Sequence, residues 1–233
     1  PYFIWISEIM LQQTQANTAC LYYDNWVKKF PTIKSVANSS LNEILKAWEG
    51  LGYYARARNF YAACQILKKK KKNTVPKKYD DFIQLPGVGE YTASAVLSIA
   101  YNQQYPAIDV NVVRIISRIY EISAVYPKSK PAIQKYLEKI IPNKYPGDFN
   151  QAMMDFGRFI CTSLSPKCHI CIIKKNCTAY VNNTVNMYPK KLTKKKRPHY
   201  NIAVGVIWKK KRTNHECLRR GKAHFLHEFF FFL

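Results

Sequence analysis

Apolar residues recur at helical intervals from the start of the chain. Phe3, Ile6, Ile9 and Met10 follow Pro1, a residue suited to a helix's first turn, and stop at the polar run Gln12 to Gln15. Leu21, Tyr22, Trp26, Val27 and Phe30 make a second stripe ended by Pro31. Ser40 with Glu43 is a capping box, which predicts a third helix ending near Gly50. The same periodicity predicts helices over Tyr53 to Leu67, Asp80 to Leu85, Thr92 to Ala100, Val112 to Tyr120 and Pro131 to Ile141. Phe149, Ala152, Met153, Phe156 and Ile160 form a last stripe, and no alternating strand pattern occurs in the first 180 residues. Residues 182–200 turn rich in Lys, Asn and Pro and read as a linker, after which Ile202 to Trp208 is the first strand candidate.

Composition narrows the class. The chain has 233 residues, 48% of them hydrophobic, enough for one or two ordinary cores. Its net charge of +23 points to a polyanionic partner, nucleic acid first, against the plainer reading of a solvated lysine-rich surface from a biased genome. The 7 cysteines suit a reducing, intracellular compartment better than a disulfide framework. No apolar run is long enough to span a bilayer, so membrane residence is not expected. Both ends read as cuts through a longer protein.

Three features carry candidate chemistry. Cys161, Cys168, Cys171 and Cys177 form a C-x6-C-x2-C-x5-C cassette, and four thiolates at such spacing suit an iron–sulfur cluster or a structural zinc. Leu85-Pro86-Gly87-Val88-Gly89 joins two predicted helices, either as a plain turn or as a hairpin whose bare N–H groups receive a phosphate. Asp109 precedes an apolar helix, where a carboxylate is most often an N-cap.

These features occur in order with SEIMLQQTQ (Ser7 to Gln15), GLGYYARAR (Gly50 to Arg58), LPGVGEYTA (Leu85 to Ala93) and FNQAMMDFG (Phe149 to Gly157). The set resembles the MutY-type adenine DNA glycosylases of the endonuclease III superfamily, over about Pro1 to Tyr188. The resemblance implies an all-α, two-lobed helix-hairpin-helix glycosylase with an iron–sulfur cluster loop. It implies a six-helix lobe over 1–108, a cluster-bearing lobe over 109–180, a basic linker over 181–200 and the start of a β-containing Nudix-like domain over 201–233. An upstream Leu-Pro-Trp element of the family has no counterpart in the sequence.

Residue by residue, the resemblance makes Glu8 the acid that protonates adenine, with Ile4, Ile9 and Leu11 expected to desolvate it. Asp109 becomes the carboxylate that stabilises positive charge on the deoxyribose, although Val110 stands where the family usually has Gly. Tyr91 replaces the lysine of lyase members and cannot form a Schiff base. Tyr91 and Asn111 resemble the residues that position the water and the carboxylates. Gln13 and Tyr53 match the duplex wedges, Gln151 the reader of the adenine edge, and Gly87, Val88 and Gly89 the phosphate hairpin. Arg56, Arg58, Lys190 and Lys191 are candidate phosphate contacts, and a [4Fe–4S] cluster on the four cysteines would present Lys167, Lys174 and Lys175. The expected substrate is double-stranded DNA with adenine opposite 8-oxoguanine or guanine, acted on by a monomer, in a bacterial cytoplasm first. The rivals are an oxidised-pyrimidine glycosylase/AP lyase on the same fold and a catalytically impaired DNA-binding fragment.

Overall fold

The computed structural model describes residues 1–192 and, beyond them, the backbone of two short strands. The chain divides into two compact units, Pro1–Leu192 and Thr193–Leu233. In the first unit the helices are α1 (Tyr2–Leu11), α2 (Ala16–Lys29), α3 (Ile33–Asn38), α4 (Leu41–Ala47), α5 (Ala55–Lys69), α6 (Tyr79–Ile83), α7 (Glu90–Tyr101), α8 (Val110–Ile119), α9 (Lys130–Ile140), α10 (Pro146–Phe159) and α11 (Thr178–Val181). In the second, β1 (Trp208–Lys210) pairs antiparallel with β2 (His215–Cys217), Trp208 opposite Cys217. The rest of the predicted strand and of the region expected to be Nudix-like lies outside the described residues.

Two apolar clusters organise the helical unit. The larger is aromatic at its centre: the Trp5 ring meets Phe60 edge-on at 4.6 Å and Phe82 at 5.3 Å, and Trp26 meets Trp48 at 5.6 Å. Such edge-to-face pairs are favoured by the ring quadrupoles. The smaller cluster is built from Val112, Val113 and Ile116 of α8 with Ile133 and Leu137 of α9, and Phe149 and Met153 of α10 pack on it. Helix α7 is buried along Thr92 to Ser98, because α1 packs on it from one side and α10 from another.

Periodicity finds the long amphipathic helices and the short α6, and misses α3. Helix α3 is absent from the sequence reading because six residues cover less than two turns; its start is a capping box, Thr32 Oγ1 accepting from the Ser35 N–H at 3.0 Å. Helix α2 begins at Ala16, ahead of the predicted Leu21, because its first turn carries little apolar signal. Helix α4 ends at Ala47, and Trp48 caps it before the turn through Gly50.

Helices α7 and α10 touch backbone to backbone at Gly147. A Cβ there would lie 2.6 Å from Ile99 Cα and 2.8 Å from the Ser98 carbonyl oxygen. Beside it Asn150, 2% exposed, accepts from the Ala107 N–H at 3.1 Å and donates to Ser98 Oγ at 2.8 Å and the Tyr105 carbonyl at 2.9 Å. The segment that leads to Asp109 is thereby fixed to both helices. Gly147→Ala must push two backbones apart and is expected to cost about 1–3 kcal/mol, read as a lowered urea midpoint with an unchanged slope.

Candidate active site

Glu8 lies on α1 and is only 9% exposed. Burial raises its carboxyl above the ordinary value, the Tyr91 hydroxyl beside it opposes the rise, and the Asp109 charge adds to it. Of the residues expected to cover Glu8, Leu11 is 42% exposed, while Ile9 is buried and Ile4 half-buried. Tyr91, on the first turn of α7, also donates to Met154 Sδ at 3.3 Å. Its phenol is pushed well above the ordinary tyrosine value, first by burial and then by Glu8 and Asp109.

Asp109 is the N-cap of α8: Oδ1 accepts from the Val112 N–H at 2.7 Å and Oδ2 from Asn111 Nδ2 at 2.7 Å. The plain capping role and proximity to Glu8 therefore hold together. Asn111 in turn accepts from Arg114 Nη2 at 2.7 Å, and the same nitrogen donates to the Gly157 carbonyl at 2.7 Å. A Cβ on Gly157 would fall 2.5 Å from Asn111 Cβ, so the glycine lets Asn111 reach Asp109. Val110 is 77% exposed and does not crowd this arrangement from within.

Sequence reasoning missed Arg114 and Arg118. Both are buried on α8, and their four-residue spacing inside an apolar helix was the available signal. Arg114 Nε donates to the Cys161 carbonyl at 2.7 Å. Arg118 Nη1 donates to Cys161 Sγ at 3.3 Å and to the Thr162 carbonyl at 2.7 Å, while its Nε reaches the Val185 and Tyr188 carbonyls at 3.2 and 3.1 Å.

The four cassette cysteines line one cavity with Ile115, Phe156 and Tyr180 among its walls. Burial and the neighbouring thiols raise Cys168 and Cys177, so their thiolates call for a cationic partner there. Among the described residues, no three Cys, His, Asp or Glu side chains are arranged to hold one metal ion. The donor set, four thiols on one cavity beside a buried guanidinium, fits a sulfur-ligated group.

The other candidates fall into three groups. In the hairpin, Gly87 has φ +76° and Gly89 caps α7 through backbone alone, while the Val88 side chain is buried at 7% exposure. The helix N–H groups are thus left to an outside acceptor, and the adjoining Glu90 is ion-paired with Lys130 of α9. Gln13, Tyr53, Arg58, Gln151, Lys167, Lys175 and Lys191 are exposed. Lys174 donates to the His169 carbonyl at 3.0 Å, and Lys190 lies 5.0 Å over the Tyr188 ring.

Arg56 is the correction. The reading that offered it to phosphate fails because its terminal nitrogens are already bonded inside the protein, to acceptors in the Ile9 to Thr14 and Leu51 to Gly52 segments.

The helical unit thus carries a glycine hairpin leading into α7 and a buried glutamate within reach of the charge of an N-cap aspartate. The chain belongs to the HhH-GPD superfamily of base excision DNA repair proteins, whose profile matches residues 6–143. It is 44% identical to an adenine DNA glycosylase of Buchnera aphidicola subsp. Acyrthosiphon pisum over 92% of this chain and 64% of that protein. It is 40% identical to the Schizosaccharomyces pombe adenine DNA glycosylase, over 79% of this chain and 41% of that protein. For the Homo sapiens adenine DNA glycosylase the figures are 38%, 76% and 33%. The chain thus spans from about a third to under two thirds of the length of these relatives. Among solved structures, a thermostable thymine-DNA glycosylase superposes with TM-score 0.72 at 30% identity, covering 78% of this chain and 85% of that one. An endonuclease III trapped covalently on DNA gives 0.67 at 27%, over 77% and 84%.

Because burial raises Glu8, the unfolded chain releases its proton near the ordinary value of 4.5 while the folded chain still holds it. The stability this contributes is present at low pH and is lost as pH rises from about 4.5 through the folded value. Glu8→Gln removes that loss, so its urea midpoint is expected to gain on wild type from acid toward neutral pH.

Proposed function

We propose that the chain hydrolyses the N-glycosidic bond of adenine in double-stranded DNA, opposite 8-oxoguanine or guanine, as a monofunctional glycosylase. The observation that supports the reading is the buried, upshifted Glu8 within reach of the Asp109 charge, with the Tyr91 hydroxyl, which cannot act as an amine nucleophile, beside it. Two carboxylates of unlike environment can divide acid and charge-stabilising roles. A desolvated Glu8 keeps its proton as pH rises and delivers it to the adenine ring, so the base leaves neutral. Asp109, held by Val112 and Asn111, stabilises the positive charge left on the sugar. Tyr91 and Asn111 keep the carboxylates in register, and water completes the hydrolysis.

The adenine must leave the stack before Glu8 can reach it. Exposed Tyr53 and Gln13 enter the duplex beside the opposing base, and Gln151 reads the adenine edge with an amide that donates and accepts. The hairpin Gly87-Val88-Gly89 and Arg58, Lys190 and Lys191 take phosphates. Lobes over 1–108 and 109–180, a linker over 181–200 and a Nudix-like segment over 201–233 complete this reading. Cys161, Cys168, Cys171 and Cys177 would hold a [4Fe–4S] cluster, which supplies sulfur-ligated cross-linking of the loop that carries Lys167, Lys174 and Lys175. The site of action is a bacterial cytoplasm, and the working unit is a monomer.

In a single-turnover assay on an adenine:8-oxoguanine duplex, wild type is expected to release adenine and Glu8→Gln to be slower by about 10²–10⁴-fold. The wild-type rate is expected to fall as pH rises through the raised Glu8 value. A borohydride-trapped covalent adduct would establish the lyase rival instead, and binding without release would establish the impaired DNA-binding fragment. Iron and sulfide analysis of the purified protein is expected to give about four of each per chain.

A further inference from the structure

Arg56 sits in the first turn of α5, where the helix dipole disfavours a cation. Its Nε is buried without a partner, a further cost. A residue that breaks two local rules needs a compensating role. The compensation is visible at its two terminal nitrogens. Nη1 donates to the Ile9 carbonyl at 3.0 Å, the Met10 carbonyl at 2.8 Å and the Gln12 carbonyl. Nη2 donates to Thr14 Oγ1 at 3.1 Å, the Leu51 carbonyl at 3.3 Å and the Gly52 carbonyl at 3.2 Å. The first set are the orphan carbonyls at the end of α1, a helix with no basic residue in its own last turn. In the second set, Thr14 belongs to the segment after α1, and the Leu51 and Gly52 carbonyls belong to the turn that follows α4.

Two left-handed residues follow directly on carbonyls that Arg56 bonds. Gln12 precedes Gln13, with φ +57°, and Gly52 precedes Tyr53, with φ +47°. Non-glycine residues hold such backbone only where their surroundings over-determine it. The guanidinium carbon lies 5.5 Å from the Tyr53 ring centroid and 5.3 Å from that of Trp48, which adds cation–π attraction along the same edge. Gln13 and Tyr53 are the exposed residues assigned above to duplex entry, and Tyr53 is 60% exposed.

We infer that Arg56 is a positioning residue that clamps the two wedge segments to each other, setting the spacing at which Gln13 and Tyr53 enter DNA. The inference rests on the glycosylase reading for its DNA and on the geometry above for its mechanism. A planar fork can bond two segments at once, whereas a lysine ammonium at the same place can cap α1 but cannot span to the second segment in a fixed plane. The clamp therefore acts on extrusion of the base and not on bond cleavage.

The test compares wild type, Arg56→Lys and Arg56→Met on a fully paired adenine:8-oxoguanine duplex and on one whose target adenine is looped out as an unpaired bulge. A 2-aminopurine beside the target reports unstacking on binding. Arg56→Met is expected to lose about 10²-fold in single-turnover rate on the paired duplex, several-fold more than it loses on the bulge, together with the fluorescence rise. Arg56→Lys is expected to recover the thermal midpoint and leave the paired-duplex defect in place, so a folded variant carries the test if Arg56→Met does not fold. Equal losses on both substrates, or recovery of the paired-duplex rate by lysine, overturn the clamp. If wild type unstacks the probe but releases no adenine, the glycosylase reading falls, and the clamp still stands or falls on the fluorescence of the variants.

Discussion

A carbonyl taken out of water has to find a donor, and helices supply donors only to their own interior. In this chain the irregular segments around the candidate site are served by three arginines. Arg56 takes the end of α1 and the turn after α4, Arg114 takes the end of α10, and Arg118 takes Thr162, Val185 and Tyr188. Each guanidinium can serve several acceptors in one plane, which no other side chain does. The loops that carry Gln13, Tyr53 and the cassette are therefore tied to neighbouring helices by bonds that cross between elements. Because burial lowers both Arg56 and Arg114 while they remain cationic, the bonds they make are charge-assisted ones in a poorly hydrated place.

Long amphipathic stripes announced most of the helical unit, because an apolar face wide enough to bury is visible as spacing. Helix α3 was not visible, since its information lies in the reciprocal bonds of Thr32 and Ser35 and not in periodicity. The candidate site was legible to the extent that its residues sit in contiguous motifs, as Glu8 does in Ser7 to Gln15 and Tyr91 in the hairpin segment. What joins those motifs was not legible. Arg114 reads as one more charge on α8 until Asn111, Gly157 and Cys161 converge on it from separate parts of the chain. Arg56 read as a surface cation for the same reason: exposure and internal bonding are tertiary properties that one-dimensional spacing cannot carry.

The strong positive charge of the chain and the chemistry near Glu8 act over different ranges. Lysines on the surface give a sequence-blind attraction for phosphate that weakens with salt. Around Glu8 the field is set by neighbours within the fold, where burial first and the Asp109 charge after it hold the carboxyl above its ordinary value against the Tyr91 hydroxyl. The two properties can vary independently, which allows a surface to drift in composition while the surroundings of Glu8 stay the same.

The contact between Glu90 and Lys130 joins α7 to α9 at the very place where the hairpin offers its N–H groups. An anion that settles there meets a carboxylate whose charge is already cancelled by a cation from another helix. In the proposed function, a phosphate docking at this corner makes a third charge beside the Lys130–Glu90 pair, with the lysine within reach of both anions.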